Sequence, residues 1–208
     1  LGLDRGWRKN LVSSLLKEDL GGSVILDLGT GTGDLLFDIE GVLDRKDCSL
    51  IGMDFSSQML NVAYEKWQRK GSQSSFLQAD ASALPLVSNS VHRIVSAFVM
   101  RNIKKVLDSS LLEIKRVLKH SGKVSILEMY VPQNFVLKAL HRAYLNRILP
   151  LWGRWICGSS WSGDYLPQTI LEFGSPDQFS KKLEVAGFRE INYRILLGGV
   201  AVLHTATK

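Results

Sequence analysis

The sequence predicts an α/β fold, a doubly wound and mostly parallel sheet that closes with one antiparallel strand. Three observations predict it. Short apolar runs alternate with helical stretches from Val24 to Met129. A glycine-rich turn, Gly29 to Gly33, follows the first apolar run directly. Near the end, two strand-like runs flank Gly198-Gly199. Strands separated by helices imply right-handed parallel crossovers. A terminal hairpin reverses one strand against the rest.

Seven strands follow in order: Val24–Leu28, Ser49–Met53, Ser75–Gln78, Val91–Phe98, Lys123–Met129, Phe188–Leu196 and Val200–Ala206. The fourth is apolar almost throughout, as in a sheet buried on both faces. Between them, Asp34–Leu43 reads as a helix. Met59, Leu60, Ala63, Tyr64 and Trp67 lie at helical spacing behind Ser56, an expected N-cap. Leu107, Leu111, Ile114 and Leu118 line a further helix that the reading carries to Ser121-Gly122, a stop signal. Asp177–Ala186 is expected to be helical after Ser175-Pro176. The stretch from about 134 to 174 breaks the alternation. It is rich in aromatics and Arg, is interrupted by Pro150 and Gly153, and is expected to form a helical cap on one domain spanning 1–208.

Composition excludes more than it assigns. A chain of 208 residues with 45% hydrophobic and 22% charged residues is that of a globular protein. No apolar stretch reaches the roughly 18 residues of a membrane span, and no leader-like segment opens the chain. The first residue is Leu1, not Met, so an earlier segment is expected ahead of it. The net charge of +6 is scattered, which reads as a solvated basic exterior. No nucleic-acid partner is expected. Cys48 and Cys157 fit no metal or redox spacing, so no metal is expected and both thiols read as reduced. A cytoplasmic protein, peripheral to a membrane at most, is the expectation. The oligomeric state stays open.

The chemistry concentrates at the ends of the early strands. Asp27-Leu28-Gly29-Thr30-Gly31-Thr32-Gly33-Asp34 places glycines where a sharp turn must approach a ligand. Asp54 ends the second strand, and Asp80-Ala81 follows the third. A glycine turn alone also suits a dinucleotide, but that turn normally reads GxGxxG. GxGxG with two acids suits S-adenosylmethionine (SAM). Gly29 and Gly31 leave room for the methionine part, and Asp54 accepts from the ribose diol. Phe55 or Met59 packs on the adenine face, Asp80 accepts from the adenine amine, and the Ala81 amide donates to a ring nitrogen. In an open sheet all of these gather in one crevice at the carboxyl ends of the strands.

Beyond that general set, several stretches resemble one family. They are Trp7-Arg8, Leu28 to Leu35, Gln78-Ala79-Asp80-Ala81, Phe98-Val99-Met100-Arg101-Asn102 and Leu197 to His204. The chain resembles the C-methyltransferases of ubiquinone and menaquinone biosynthesis over nearly its whole length. The resemblance implies a Rossmann-like class I SAM-dependent methyltransferase fold with seven strands. It also implies methyl transfer to a ring carbon of a polyprenyl quinol. By position it puts SAM contacts on Thr32, Asp54, Asp80, Ala81 and the backbone of Ala97. Arg101 is then the candidate that stabilises the ring anion, and Asn102 orients a hydroxyl or a water. His141 offers a proton acceptor, against the ordinary reading of a partly exposed helical His. The aromatic and basic residues of 135–156 read as a helical cover, with an isoprenoid and membrane-surface role as the second reading. The chain departs from the family at Val99, usually Gly, at Gly163, usually Tyr, and at Gly174, usually Pro. The family's N-terminal Tyr-Asp segment is expected to fall ahead of Leu1. Another phenolic or lipid acceptor is therefore the alternative.

Overall fold

The computed structural model describes residues 3–16, 20–43, 48–148 and 165–208. The expectations that rest on Pro150, Gly153, Cys157, Gly163 and the aromatic and basic residues beyond 148 lie outside them, as does Leu1.

The first half holds α1 (Leu3–Leu15), β1 (Ser23–Leu28), α2 (Asp34–Glu40), β2 (Cys48–Asp54), α3 (Ser57–Lys70), β3 (Ser75–Gln78) and β4 (Val91–Ala97). A 3-10 turn, Lys104–Val106, leads into α4 (Leu107–Val117) and β5 (Leu118–Met129). Then come α5 (Phe135–Ala143), a π-helical turn (Tyr144–Ile148), α6 (Tyr165–Phe173) and α7 (Pro176–Val185). The chain ends with β6 (Arg189–Leu196), a short turn at Leu197–Gly199, and β7 (Ala201–Thr207).

The seven strands form one sheet in the order β3-β2-β1-β4-β5-β7-β6. All neighbours pair in parallel except β7, which runs antiparallel to both β5 and β6. This is the expected architecture. Successive side chains on a strand face opposite sides, and the two cores divide accordingly. Leu26, Ile94, Val124, Ile126 and Val202 join one core with Leu111, Ile114, Phe179 and Leu183 of α4 and α7. Ile25, Val95, Leu127 and Leu203 join the other with Leu11, Leu15, Leu36 and Ile39 of α1 and α2. The inner strands β1, β4, β5 and β7 are largely buried on both faces, which explains their near-continuous apolar runs, whereas the edge strand β6 is mostly exposed.

The caps follow the sequence signals. Ser56 accepts the Met59 amide at the start of α3, and Ser175 makes a capping box with Gln178 at the start of α7. One boundary differs. The helix expected to reach Ser121-Gly122 ends at Val117, because Leu118 turns extended, pairs with Val91 and is fully buried. The ladder then skips to Arg93 opposite Lys123. Ser121, at φ 61, belongs to a bulge in β5, not to a helix end. Among the described residues, no helix is long and apolar enough to cross a membrane.

Candidate active site

The carboxyl ends of β1 to β5 open on one side of the sheet, where the β1–α2 turn crosses. Gly29, Gly31 and Gly33 take left-handed φ values of 74, 56 and 80°. Those angles aim successive amides in useful directions. The Gly29 and Thr30 amides donate to the Met53 carbonyl at 2.7 and 2.8 Å, tying the turn to β2. The Thr30 hydroxyl donates to Asp27 Oδ2 at 2.7 Å. Asp54 accepts the Gly31 amide on Oδ2 at 2.8 Å and the Ser56 amide on Oδ1 at 2.9 Å.

A cleft of about 740 Å³ lies over this turn. Gly29, Gly31, Asp54, Phe55 and Met59 form one wall, and Asp80, Ala81, Ala97, Arg101 and Asn102 continue it. Thr169 and Glu172 of α6 supply the opposite lip, where Glu172 pairs with Lys104 at 3.6 Å. Of the residues singled out from sequence, ten meet here. Thr32 does not line the cleft. Its hydroxyl accepts from Lys66 Nζ at 3.0 Å and contacts Asp34 at 3.2 Å. His141 also stands apart, buried on α5, where desolvation lowers its pKa.

The cleft residues fit an adenosyl group. Its volume is in the range of small-ligand sites. Asp54 spends one lone pair of each oxygen on the turn, leaving others for ribose hydroxyls. Asp80 Oδ1 accepts the Ser82 amide and hydroxyl at 2.8 and 2.7 Å, and these bonds hold its carboxyl below the usual range. It is therefore ionised and oriented as an acceptor. Phe55 and Met59 project into the cleft with 74% and 48% of their surface exposed, an apolar pair suited to an aromatic face. A Cβ added at Gly31 would meet only open space.

The other side of the cleft is built on Phe98. This residue ends β4 early, because it turns to φ 64 directly after Ala97. A left-handed Phe is strained, and three contacts hold it. Its amide donates to Leu127 at 2.8 Å. Its ring meets Trp7 of α1 edge-on at 6.1 Å, and the Arg101 guanidinium lies 5.9 Å from its centroid. The reversed carbonyl accepts Arg101 Nη1 at 2.8 Å and Asn102 Nδ2 at 3.1 Å. The Arg-Asn pair is thus fixed by one carbonyl.

One feature escaped the sequence reading. Glu128, in β5, is fully buried and pairs with Arg101 Nη1 at 2.5 Å. Desolvation pushes its carboxyl up, against the pull of Arg101. The signal was an acid inside the apolar run Val124 to Met129. Val99, singled out from sequence as a departure from the family, lines the cleft as well, and its methyl groups lie where a side chain on Gly29 would stand.

The whole chain, residues 1–208, matches the ubiE/COQ5 methyltransferase family. It belongs to that family. The demethylmenaquinone methyltransferase of Bacteroides fragilis is 34% identical, over 100% of this chain and 84% of its own. That of Thermus thermophilus is 32% identical over 100% and 91%. The ubiquinone/menaquinone biosynthesis C-methyltransferase UbiE of Syntrophotalea carbinolica is 33% identical over 100% and 85%. Among solved structures, a SAM-dependent methyltransferase from Aquifex aeolicus superposes with a TM-score of 0.69 at 22% identity, over 94% of this chain and 88% of that one. The protein of this family described here is a SAM-dependent methyltransferase with the Rossmann-like fold, and the cofactor expected from the glycine turn stands.

Proposed function

We propose that the enzyme methylates a ring carbon of a polyprenyl quinol, demethylmenaquinol or the equivalent ubiquinone precursor. The observation that carries the reading is Arg101, a nearly buried cation on the acceptor side of the cleft. When bound, SAM would supply an electrophilic methyl group, with S-adenosylhomocysteine leaving as the sulfur–methyl bond breaks and the methylated ring carbon then losing its hydrogen as a proton to restore the quinol. The carbon of a neutral phenol ring attacks such a group poorly, whereas the ionised ring attacks well. A fixed cation beside the ring hydroxyl favours that ionised form and reorganises little as charge develops. A guanidinium is a permanent cation, so the role proposed for Arg101 is to stabilise charge, not to take a proton. Asn102, anchored through Nδ2 to Phe98, lines the cleft beside Arg101, where it would orient the hydroxyl or a water. Gly29, Gly31, Asp54, Phe55, Met59, Asp80, Ala81 and Ala97 are the proposed cofactor residues.

A panel of demethylated naphthoquinols and benzoquinols with methyl-labelled SAM tests the reading. One added methyl on the ring, located by mass spectrometry, is the expected result. No product with any quinol would overturn it. Arg101→Ala is expected to lower kcat by about 100-fold or more with SAM affinity kept.

The substrate's tail suggests a membrane-facing surface. On α5, Phe135 is 84% exposed, beside exposed Val136 and Leu140 and near Lys138 and Arg142. Apolar side chains with basic neighbours suit an interfacial helix. Co-sedimentation with phosphatidylglycerol vesicles tests it. Binding lost in Phe135→Asp supports the contact, and equal recovery with and without vesicles removes it.

A further inference from the structure

We infer that Glu128 is a positioning residue for methyl transfer, using one edge of the Arg101 guanidinium so that the other edge is presented to the acceptor. This rests on the reading that Arg101 faces the ring hydroxyl.

The carboxylate makes three bonds. Oε1 accepts Arg101 Nη1 at 2.5 Å and the Met129 amide at 2.8 Å. Oε2 accepts the Arg101 backbone amide at 3.2 Å. Glu128 therefore holds Arg101 at two points, head and main chain. The second proton of Nη1 goes to the Phe98 carbonyl at 2.8 Å. With Nη1 committed inward, the rigid fork of a guanidinium has one edge left, Nε with Nη2. Nε is buried and has no partner among the described residues. A buried donor left unsatisfied is costly, and an anionic oxygen on that edge would satisfy it.

Stability does not explain the pair. Glu128 and the Arg101 side chain are 0% and 8% exposed, and two charges taken out of water rarely gain over apolar packing. The strand does not need the carboxylate for its register either, since β5 is already paired with β7 through Glu128 and Met129. What the carboxylate achieves is one fixed orientation of one cation at the cleft wall.

Glu128→Gln tests this. It keeps the volume, but it supplies one acceptor in place of two and turns a donor towards an amide. Relative to wild type, kcat is expected to fall about 10- to 100-fold with KM for SAM changed less than about two-fold. Calorimetry should show unchanged SAM affinity. Nitrogen NMR of the Arg101 guanidinium should show slow rotation about Cζ–Nε in wild type and fast rotation in the variant. The double variant Arg101→Ala/Glu128→Gln should turn over no more slowly than Arg101→Ala alone. If Glu128→Gln does not fold, Glu128→Asp, which withdraws the charge by one methylene, carries the same measurements. Normal kcat in the Glu128 variant beside a crippled Arg101→Ala would overturn the positioning role alone. Full turnover in Arg101→Ala would instead overturn the reading beneath it. An additive loss in the double variant would give Glu128 a separate role and also overturn the proposal.

Discussion

Asp54 reaches back from the end of β2 to accept the Gly31 amide at 2.8 Å. One carboxylate thereby shapes the glycine turn and faces the cleft that the turn encloses. Its two duties predict a larger effect than either alone. Asp54→Ala removes the ribose acceptor and leaves the Gly31 and Ser56 amides without partners. Bonds to a charged acceptor contribute about 1.5–3 kcal/mol each, so SAM affinity should fall by about 100-fold. Asp54→Asn should lose nearly as much, because its amide group would face a donor. Calorimetry with SAM decides. Unchanged affinity in both variants would remove Asp54 from the cofactor site.

Val99 occupies the space beside Gly29, and both line the cleft next to Arg101. Its two methyl groups narrow the acceptor side. Val99→Gly is expected to widen it and favour the bulkier ring. The ratio of kcat/KM for naphthoquinol over benzoquinol should rise by about 10-fold, the scale of small steric changes in an apolar pocket. A ratio that stays constant would show that Val99 contacts neither ring.

The sheet and the cofactor wall were legible because each rests on a local signal. Glycines at 29, 31 and 33 demand unusual φ values, and Asp54 and Asp80 stand directly after apolar strands. Register then brings them together with no further information. The acceptor side depends on non-local pairing. Glu128 meets Arg101 across 27 positions of sequence, and no periodicity marks that partnership. Phe98 looked like the last residue of a regular strand, and its left-handed turn is imposed by Trp7, Leu127 and Arg101. The end of α4 was misplaced for a related reason. Ser121-Gly122 is a genuine break in the chain, but burial of Leu118 in the core decides that the break falls within a strand. Thr32 carried a family expectation by position, and its hydroxyl is engaged with Lys66.

Asp27 predicts a pH dependence of stability. It is fully buried under the turn, and desolvation raises its pKa from 3.8 to about 7, with Asp54 adding repulsion and the Thr30 hydroxyl opposing. The folded state therefore holds this proton more tightly than the unfolded chain. Stability from this group is complete below about pH 4 and is lost as pH rises through about 7. Asp27→Asn mimics the protonated acid and should escape that loss. The difference between 3.8 and about 7 corresponds to at most about 4 kcal/mol above pH 7. Urea denaturation at pH 5 and pH 8 measures it. An equal gain at both would show that Asp27 is not the titrating group.

His141 was read from sequence as a proton acceptor in competition with a partly exposed surface residue, and its position on α5 fits neither. Its side chain is buried, away from the residues that line the cleft. Burial lowers its pKa and so favours the neutral ring. Both ring nitrogens lack partners among the described residues. Replacing such a group by an apolar one of similar shape is close to neutral, or stabilising. His141→Phe should therefore keep kcat within about two-fold and raise or hold Tm. The acid limb of the kcat profile should stay where it is in wild type, because an imidazole outside the cleft takes no proton from the acceptor. A shift of that limb, with the fold intact, would bring His141 back into the proton transfer.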